Sequence, residues 1–424
     1  MLYPLVRPIA TLGISLFFKK VHLIHSEWLP KNKPVILAVN HPTAFLEPCI
    51  LACWLDRPLH FLVRGDFFEK KVFNFLLRAL HMLPIYRKKD KGLRAVKDNH
   101  ATFEACHTAL KENKTLMILA EGSTAYAKRL RPLKKGIGRV AFGALKSESS
   151  VEEVYVVPIG VTFTNAARFR SEVFLSVGAP ILASTYLPKP ESGSKEAMFR
   201  FNALLYERLA KRMVLIEDPD RDEIAEDMLD MYRSHLGDQD ETLSVERFLG
   251  EQTISRRINR AGAKAMQDLR DPWLEYRKMR EVADVSDAVV FHARGNRFWE
   301  TAAILLGAPF YALGWLFNSW PFLLVEWLVR NRVPILEFQV SIRVSVGIFG
   351  WLFWWLLVWI GTAIAGGPFW IPMLAMPLTG IFCVSYTDAW RAWWDRRKWN
   401  LLDGKEKEAL GRKRSDVVAS FQSL

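Results

Sequence analysis

Four cysteines in 424 residues are too few and too scattered to build a framework. Cys49 and Cys53 share one predicted helix, Cys106 lies on another, and Cys383 falls in an apolar stretch. Without Cys-x-x-Cys spacing they suggest neither a zinc site nor disulfide bridges. Histidine offers no metal site either. His22 and His25 fall on opposite faces of an extended segment, and His100 and His107 share a helix face without an acidic partner in view. A Gly-x-Ser-x-Gly elbow is missing, which argues against a serine hydrolase. Gly136-Ile137-Gly138-Arg139-Val140-Ala141 fits a loose dinucleotide fingerprint, but Leu-Lys-Lys precedes it instead of a strand, so it reads as a helix start. Met1 to Phe18 is apolar yet has no basic n-region and no small-residue cleavage site, so an amphipathic or membrane-seated helix is expected there in place of a cleaved signal. No repeat or low-complexity segment is apparent.

What the chain does have is unevenly spread. Of its 16 tryptophans, 13 lie between Trp299 and Trp399, which sets a C-terminal module apart. Val344 to Ala365 and Pro368 to Thr387 carry no charge, and each is about the ~20 residues a helix needs to cross the hydrocarbon core. Gly366-Gly367 leaves room only for a tight turn, so the two predict a helical hairpin with both ends on one side. Arg343 stands before the pair and Arg391, Arg396, Arg397 and Lys398 after it, which makes that side cytoplasmic by the positive-inside rule. A third apolar stretch, Thr301 to Val329, is broken by Pro309, Asn318, Pro321 and Glu326. It fits a re-entrant or interfacial hairpin, or one irregular spanning helix. The formal charge of +13 then fits an anionic membrane surface and a phosphate-bearing substrate. No nucleic-acid motif with interleaved aromatics is visible.

Along the first half, strand patterns (Val21–Ile24, Pro34–Val39, His60–Val63, Met82–Tyr86, Leu116–Leu119, Val154–Val161, Val173–Val177) alternate with helical ones (Ala44–Leu55, Lys70–Leu80, Val96–Glu112, Gly136–Leu145). That alternation predicts an α/β core with largely parallel strands. The expected organisation is a membrane-associated helix over residues 1–20, the α/β domain over 21–190, and a charged helical extension over 191–295. A transmembrane module over 296–400 and a basic cytoplasmic tail over 401–424 complete it.

Two polar groups close strand-like segments: Asn40-His41 after Val39, and Glu121-Gly122-Ser123 after Leu119. Ligands of open α/β sheets bind beyond the carboxyl ends of the strands, so both belong at one edge. A hydroxyl attacking an acyl carbonyl must lose its proton, and a histidine with an ordinary pKa of ~6.5 can accept it near pH 7. A carboxylate on the other ring nitrogen would hold the tautomer, and Glu47 is placed to do so. In one regular helix six residues turn the chain by about 240° net, so His41 must precede the helix that carries Glu47. Pro42 at the first helical position would allow that. Arg64 and Arg87 follow strand patterns, and Lys128 to Lys135 is a basic run that includes Arg129 and Arg131. Guanidinium groups bind phosphate through paired hydrogen bonds, which suggests a phosphorylated alcohol.

Four blocks in order resemble the motifs of the glycerolipid acyltransferases, the superfamily of glycerol-3-phosphate and lysophosphatidic acid acyltransferases. They are Asn40-His41 through Glu47-Pro48, Leu83-Pro84-Ile85-Tyr86-Arg87, Leu119-Ala120-Glu121-Gly122-Ser123 and Val157-Pro158-Ile159-Gly160. The likeness covers roughly Ile24 to Pro180. It implies an α/β acyltransferase core and direct transfer from acyl-CoA or acyl carrier protein to a glycerol hydroxyl, with the thioester as co-substrate and no cofactor or metal. It also implies His41 as base and Glu47 as its orienter, with Arg87, Glu121 and Gly122 at the phosphate pocket. Arg64, Ser123 and Arg131 complete the candidate substrate-binding set.

Three departures matter. The acid lies six residues after His41, a spacing that resembles the glycerol-3-phosphate/dihydroxyacetone-phosphate branch. It is Glu where Asp is usual. Thr124 stands where many members carry Arg, so Arg129 or Arg131 is the expected substitute. The alternative acceptor is lysophosphatidic acid. The non-enzymatic alternative is a membrane lipid-binding protein whose site has decayed, with Glu47 as its only support.

Overall fold

The computed structural model describes residues 2–86, 94–146, 151–188, 193–236, 244–292 and 297–424. Its described residues divide into two compact units, one of residues 1–213 with 333–344 and one of 214–332 with 345–424. The expected boundaries at 190/191 and 295/296 fall on segments outside the described residues.

The first unit is built on a sheet of β1 (Lys20–Ile24), β2 (Val35–Val39), β3 (Leu59–Arg64), β4 (Met82–Ile85), β5 (Thr115–Leu119), β6 (Tyr155–Phe163), β7 (Glu172–Val177) and β8 (Ile181–Leu182). The strand order is β1-β7-β6-β2-β5-β3-β4, with β8 also on β6. All five residues of β2 are buried, as both faces of a strand must be when helices cover the two sides of a parallel sheet. Those helices are α1 (Tyr3–Phe17), α2 (Leu46–Trp54), α3 (Lys71–Ala79), α4 (Arg94–Lys111), α5 (Gly136–Lys146) and α6 (Ser194–Ala210).

From β4 through β6 every pairing is parallel. The all-parallel tendency ends at β7 and β8, which both pair antiparallel to β6. The connection 164–171 is too short for a helical crossover, so the chain can only double back. Gly160 in β6 is required by a close approach: a Cβ there would sit 1.9 Å from the carbonyl oxygen of Arg212.

The second unit is helical, with α7 (Asp222–Leu236), α8 (Ser244–Arg260), α9 (Ala263–Ala283), α10 (Asp287–His292), α11 (Phe298–Asn318) and α12 (Trp320–Arg332). After α13 (Leu336–Ile364), whose first turns belong to the α/β unit, come α14 (Trp370–Leu401) and α15 (Gly404–Gln422). Ile224, Met228, Leu269, Trp273, Tyr276, Trp399, Leu410 and Val417 share one core, so α15 folds back onto α7 and α9. Buried charges in this bundle are paired: Arg233 donates to Glu251 at 2.8 and 2.9 Å, and Arg414 to Asp287 at 2.9 and 3.0 Å.

α11, α13 and α14 are each long and apolar enough to cross a membrane. The sequence placed the apolar cores of the last two of these helices. The stretch 301–329 is two helices, with Ser319 between them. The hairpin turn after α13 closes as expected on two glycines. Gly366 has φ +69°, Gly367 N donates to Thr362 O at 2.9 Å, and Gly366 N to Ala363 O at 3.1 Å. This is a Schellman end, in which the left-handed residue lets the last carbonyls be satisfied.

Candidate active site

The sheet register brings the two polar motifs together. Val39 of β2 lies opposite Leu119 of β5 and Ile159 of β6, so the residues two further on, His41, Glu121 and Val161, converge at one strand end. His41 N donates to Glu121 Oε1 at 2.8 Å. Asn40 ties the same loop to β6 in both directions: its Nδ2 donates to Val161 O at 2.9 Å and its Oδ1 accepts from Val161 N at 2.7 Å. A chain leaving a buried strand has unpaired backbone groups that must find partners. Here Glu121 and Asn40 supply them.

The loop 40–45 is not helical, and α2 begins at Leu46, so Pro42 lies four residues before the helix instead of opening it. Thr43 Oγ1 accepts from Leu46 N at 3.2 Å, while the Thr43 backbone N–H donates to Glu47 Oε1. Glu47 therefore sits in the first turn of α2, and His41 precedes the helix, as the 240° argument requires. His41 Nδ1 and Glu47 Oε2 are 3.7 Å apart. Both atoms are buried, and neither has a hydrogen-bond partner. The pair faces across a gap slightly longer than a hydrogen bond. His41 is 6% exposed and Glu47 fully buried, and burial in a low dielectric strengthens their attraction.

Glu121 is 3% exposed and is shared. Its Oε1 takes the His41 N–H, while its Oε2 accepts from Arg131 Nε at 2.5 Å and Arg131 N at 3.2 Å. Arg131 then donates through Nη1 to Ser123 Oγ at 2.9 Å, through Nη2 to Ser123 O, and at 3.5 Å to His41 O. Arg131, one of the two basic residues expected to replace the family arginine, lies on this carboxylate. Its guanidinium is largely engaged by protein atoms. Glu121 and Arg131 meet His41 through its main chain, and the ring meets Glu47. Gly122 has φ +68°, and a Cβ on it would be 3.0 Å from Lys134 Cγ. Lys134 N in turn donates to Ala120 O at 2.8 Å.

Other predicted residues stand apart. Arg64, at the end of β3, donates to Asp66 at 2.7 and 3.2 Å and lies 5.9 Å from the Phe67 ring; it makes no hydrogen bond to His41, Glu47 or Glu121. Arg87 lies outside the described residues. His100 has an acidic neighbour after all, Glu104 at 3.3 Å on the exposed helix face. No group of three metal-ligating side chains occurs among the described residues.

Sequence reasoning missed the first turns of α13. Ala44 N donates to Glu337 O at 3.2 Å, Phe45 N to Ser341 Oγ at 3.3 Å, and Tyr126 N to Glu337 Oε1 at 2.9 Å. The one available signal was an acid standing just ahead of an uncharged run. Thr43 was missed too: it lies three residues ahead of α2, where Phe45 and not Thr43 holds the N-cap position, so no capping pattern marks it.

Residues 20–162 match the family described as Acyltransferase. Glycerol-3-phosphate O-acyltransferase 2 of Saccharomyces cerevisiae is 32% identical over 85 residues, 20% of this chain and 11% of the yeast protein's length. Among solved structures, the 1-acyl-sn-glycerophosphate (LPA) acyltransferase PlsC of Thermotoga maritima aligns over 48% of this chain and 78% of its own, at 18% identity and a TM-score of 0.35. The matched block runs from β1 into β6 and contains both His41 and Glu121. Over residues 20–162, about a third of its length, the chain is similar to the acyltransferases of glycerolipid synthesis, and it spans about a tenth of the yeast relative's length.

Proposed function

We propose that the chain is a membrane-bound O-acyltransferase that moves a fatty acyl group from acyl-CoA or acyl carrier protein to a hydroxyl of glycerol-3-phosphate or dihydroxyacetone phosphate, as a step of phospholipid biosynthesis. The observation that carries the reading is the buried His41–Glu47 pair at the strand edge, 3.7 Å apart. With Glu47 against Nδ1, the ring presents Nε2 to an acceptor hydroxyl. Nε2 takes the proton as the hydroxyl oxygen attacks the thioester carbonyl. The tetrahedral intermediate then expels the thiolate, which recovers that proton from the imidazolium. Glu47 steadies the ring and its transient charge. No acyl-enzyme is needed, because the acceptor oxygen is itself the nucleophile.

The choice of glycerol-3-phosphate over lysophosphatidic acid is supported by the six-residue spacing from His41 to Glu47 and by the yeast relative. Arg131 serves this reading as a strut for Glu121 and Ser123, with Arg87 as the phosphate-directed cation and Arg64, engaged by Asp66, left out of the pocket. The cationic ends of the hairpin favour a cytoplasmic catalytic domain.

Purified chain given acyl-CoA or acyl carrier protein with glycerol-3-phosphate, dihydroxyacetone phosphate or lysophosphatidic acid tests the assignment. Transfer to one of the first two acceptors is expected. His41→Ala should lower it by ~10²–10⁴-fold and Glu47→Gln by ~10²-fold or more, with unfolding temperatures unchanged. Transfer to lysophosphatidic acid alone would move the acceptor. Full activity in His41→Ala would refute the chemistry.

A further inference from the structure

α3 breaks the rule that an amphipathic helix turns its apolar side inward. None of its residues is buried, and with the turn before it the helix exposes Phe67 (54%), Val72 (70%), Phe73 (53%), Phe75 (71%) and Leu76 (38%). Soluble surfaces rarely gather so many large apolar side chains in one patch. The segment is not loosely attached. Phe68 is buried, Gly65 lies under the Tyr86 ring, where a Cβ would be 2.0 Å from Cε1, and Asn74 Nδ2 donates to Phe68 O at 3.0 Å. The apolar side chains are therefore held outward by a fixed base.

Two observations identify what covers them. The patch is rimmed by Arg64, Lys70, Lys71 and Arg78, all exposed, against the carboxylates of Asp66 and Glu69. It also continues onto α1. The Tyr3 ring stacks on His81, just past the end of α3, at 4.9 Å, and Leu5, Ile9 and Leu12 form an exposed stripe along α1. A cationic rim around protruding phenylalanines suits a leaflet of anionic lipid, where rings enter the acyl boundary and lysines meet headgroups. A second copy of the chain suits it poorly, because a two-fold contact would bring together two identical rims in which cations outnumber carboxylates.

We propose that Phe67–Ala79 is a docking surface for an anionic bilayer, acting beside α1 and separately from the spanning helices. The full chain, reconstituted in vesicles of phosphatidylcholine and phosphatidylglycerol (3:1), would carry the photocrosslinker benzoyl-phenylalanine in place of Phe75. A control would carry it in place of Phe199, which is similarly exposed on α6. The expected result is a phospholipid adduct at position 75 at least ten-fold above that at 199. It should fall several-fold in phosphatidylcholine alone and in the variant combining Lys70→Glu with Lys71→Glu. Adducts to a second copy, no excess over position 199, or equal yield without anionic lipid would each overturn the proposal. The readout does not depend on acyl transfer, so it stands or falls independently of the catalytic assignment.

Discussion

At the residue scale, Glu121 decides more than a place in a motif suggests. It is a buried carboxylate that holds the main chain of the proposed base and is itself neutralised by Arg131. Glu121→Ala leaves the His41 N–H buried without an acceptor, at a cost of about 1–3 kcal/mol. It should lower both the unfolding temperature and the transfer rate, measured in parallel by thermal unfolding and acyl-transfer assay. Arg131→Lys cannot reach Glu121, Ser123 and the His41 carbonyl together, because a lysine lacks the planar fork, and it is expected to reduce rate more than acceptor affinity. His60 offers a pH test outside the site. Its ring stacks on His81 at 4.6 Å, and burial pushes its pKa down to about 4, while His81 is lowered by burial too. The folded state therefore refuses protons that the unfolded chain accepts below ~6.5. Stability is unaffected above that pH and is lost as pH falls from about 6.5 toward 4. Unfolding temperatures of His60→Gln measured from pH 7.5 to 5 should decline less steeply than those of the unsubstituted chain.

At the scale of elements, the loop that carries His41 is held by parts distant in sequence. β2 and β5 share a register that aligns 41 with 121, and α13 reaches back from residue 337 to pin Ala44 and Tyr126. Glu337→Ala removes the side-chain bond to Tyr126 but keeps the carbonyl bond to Ala44. A net loss of ~0.5–1.5 kcal/mol in loop placement predicts a several-fold fall in kcat with KM for the thioester unchanged, and substantial rescue by Glu337→Gln. The strand and helix positions around the site were largely legible, because apolar runs and turn residues mark them. The start of α2 was not. Pro42 is an acceptable first helical residue by local preference, yet the bonds from Thr43 and Phe45 to Glu47 and Ser341 hold the loop open until Leu46. At the other end of the chain, Gly366→Ala forces an L side chain into the left-handed region and should cost about 1 kcal/mol or more, seen as a lower unfolding temperature in detergent.

At the scale of the whole molecule, chain topology limits how the apolar helices cross. No described helix before Phe298 is long and apolar enough to span, and α15 packs in one core with α9. A module whose helices α13 and α14 cross as one hairpin would then have both its ends on the same side, and α11 and α12 would go in and return together. α12 has 13 residues, about 20 Å of helix, which is shorter than the ~30 Å hydrocarbon core. A re-entrant hairpin over 298–332 is the expected arrangement. In sealed vesicles, an impermeant maleimide should reach Lys195→Cys and Lys405→Cys from one side and Phe369→Cys from the other. Opposite labelling of the first two would contradict it.

The sequence by itself determined the alternation that makes an α/β core, the uncharged lengths that make helices apolar enough to cross a membrane, and the residue types of the candidate site. All three follow from local composition and spacing, which act over a few turns of chain. Only the tertiary structure decided that Glu121 holds the His41 backbone, that Arg131 lies on that carboxylate, that α13 braces the loop, and that α3 faces outward. Those depend on strand register and on contacts between residues up to hundreds of positions apart, where burial and unpaired backbone groups select a partner that no local pattern names.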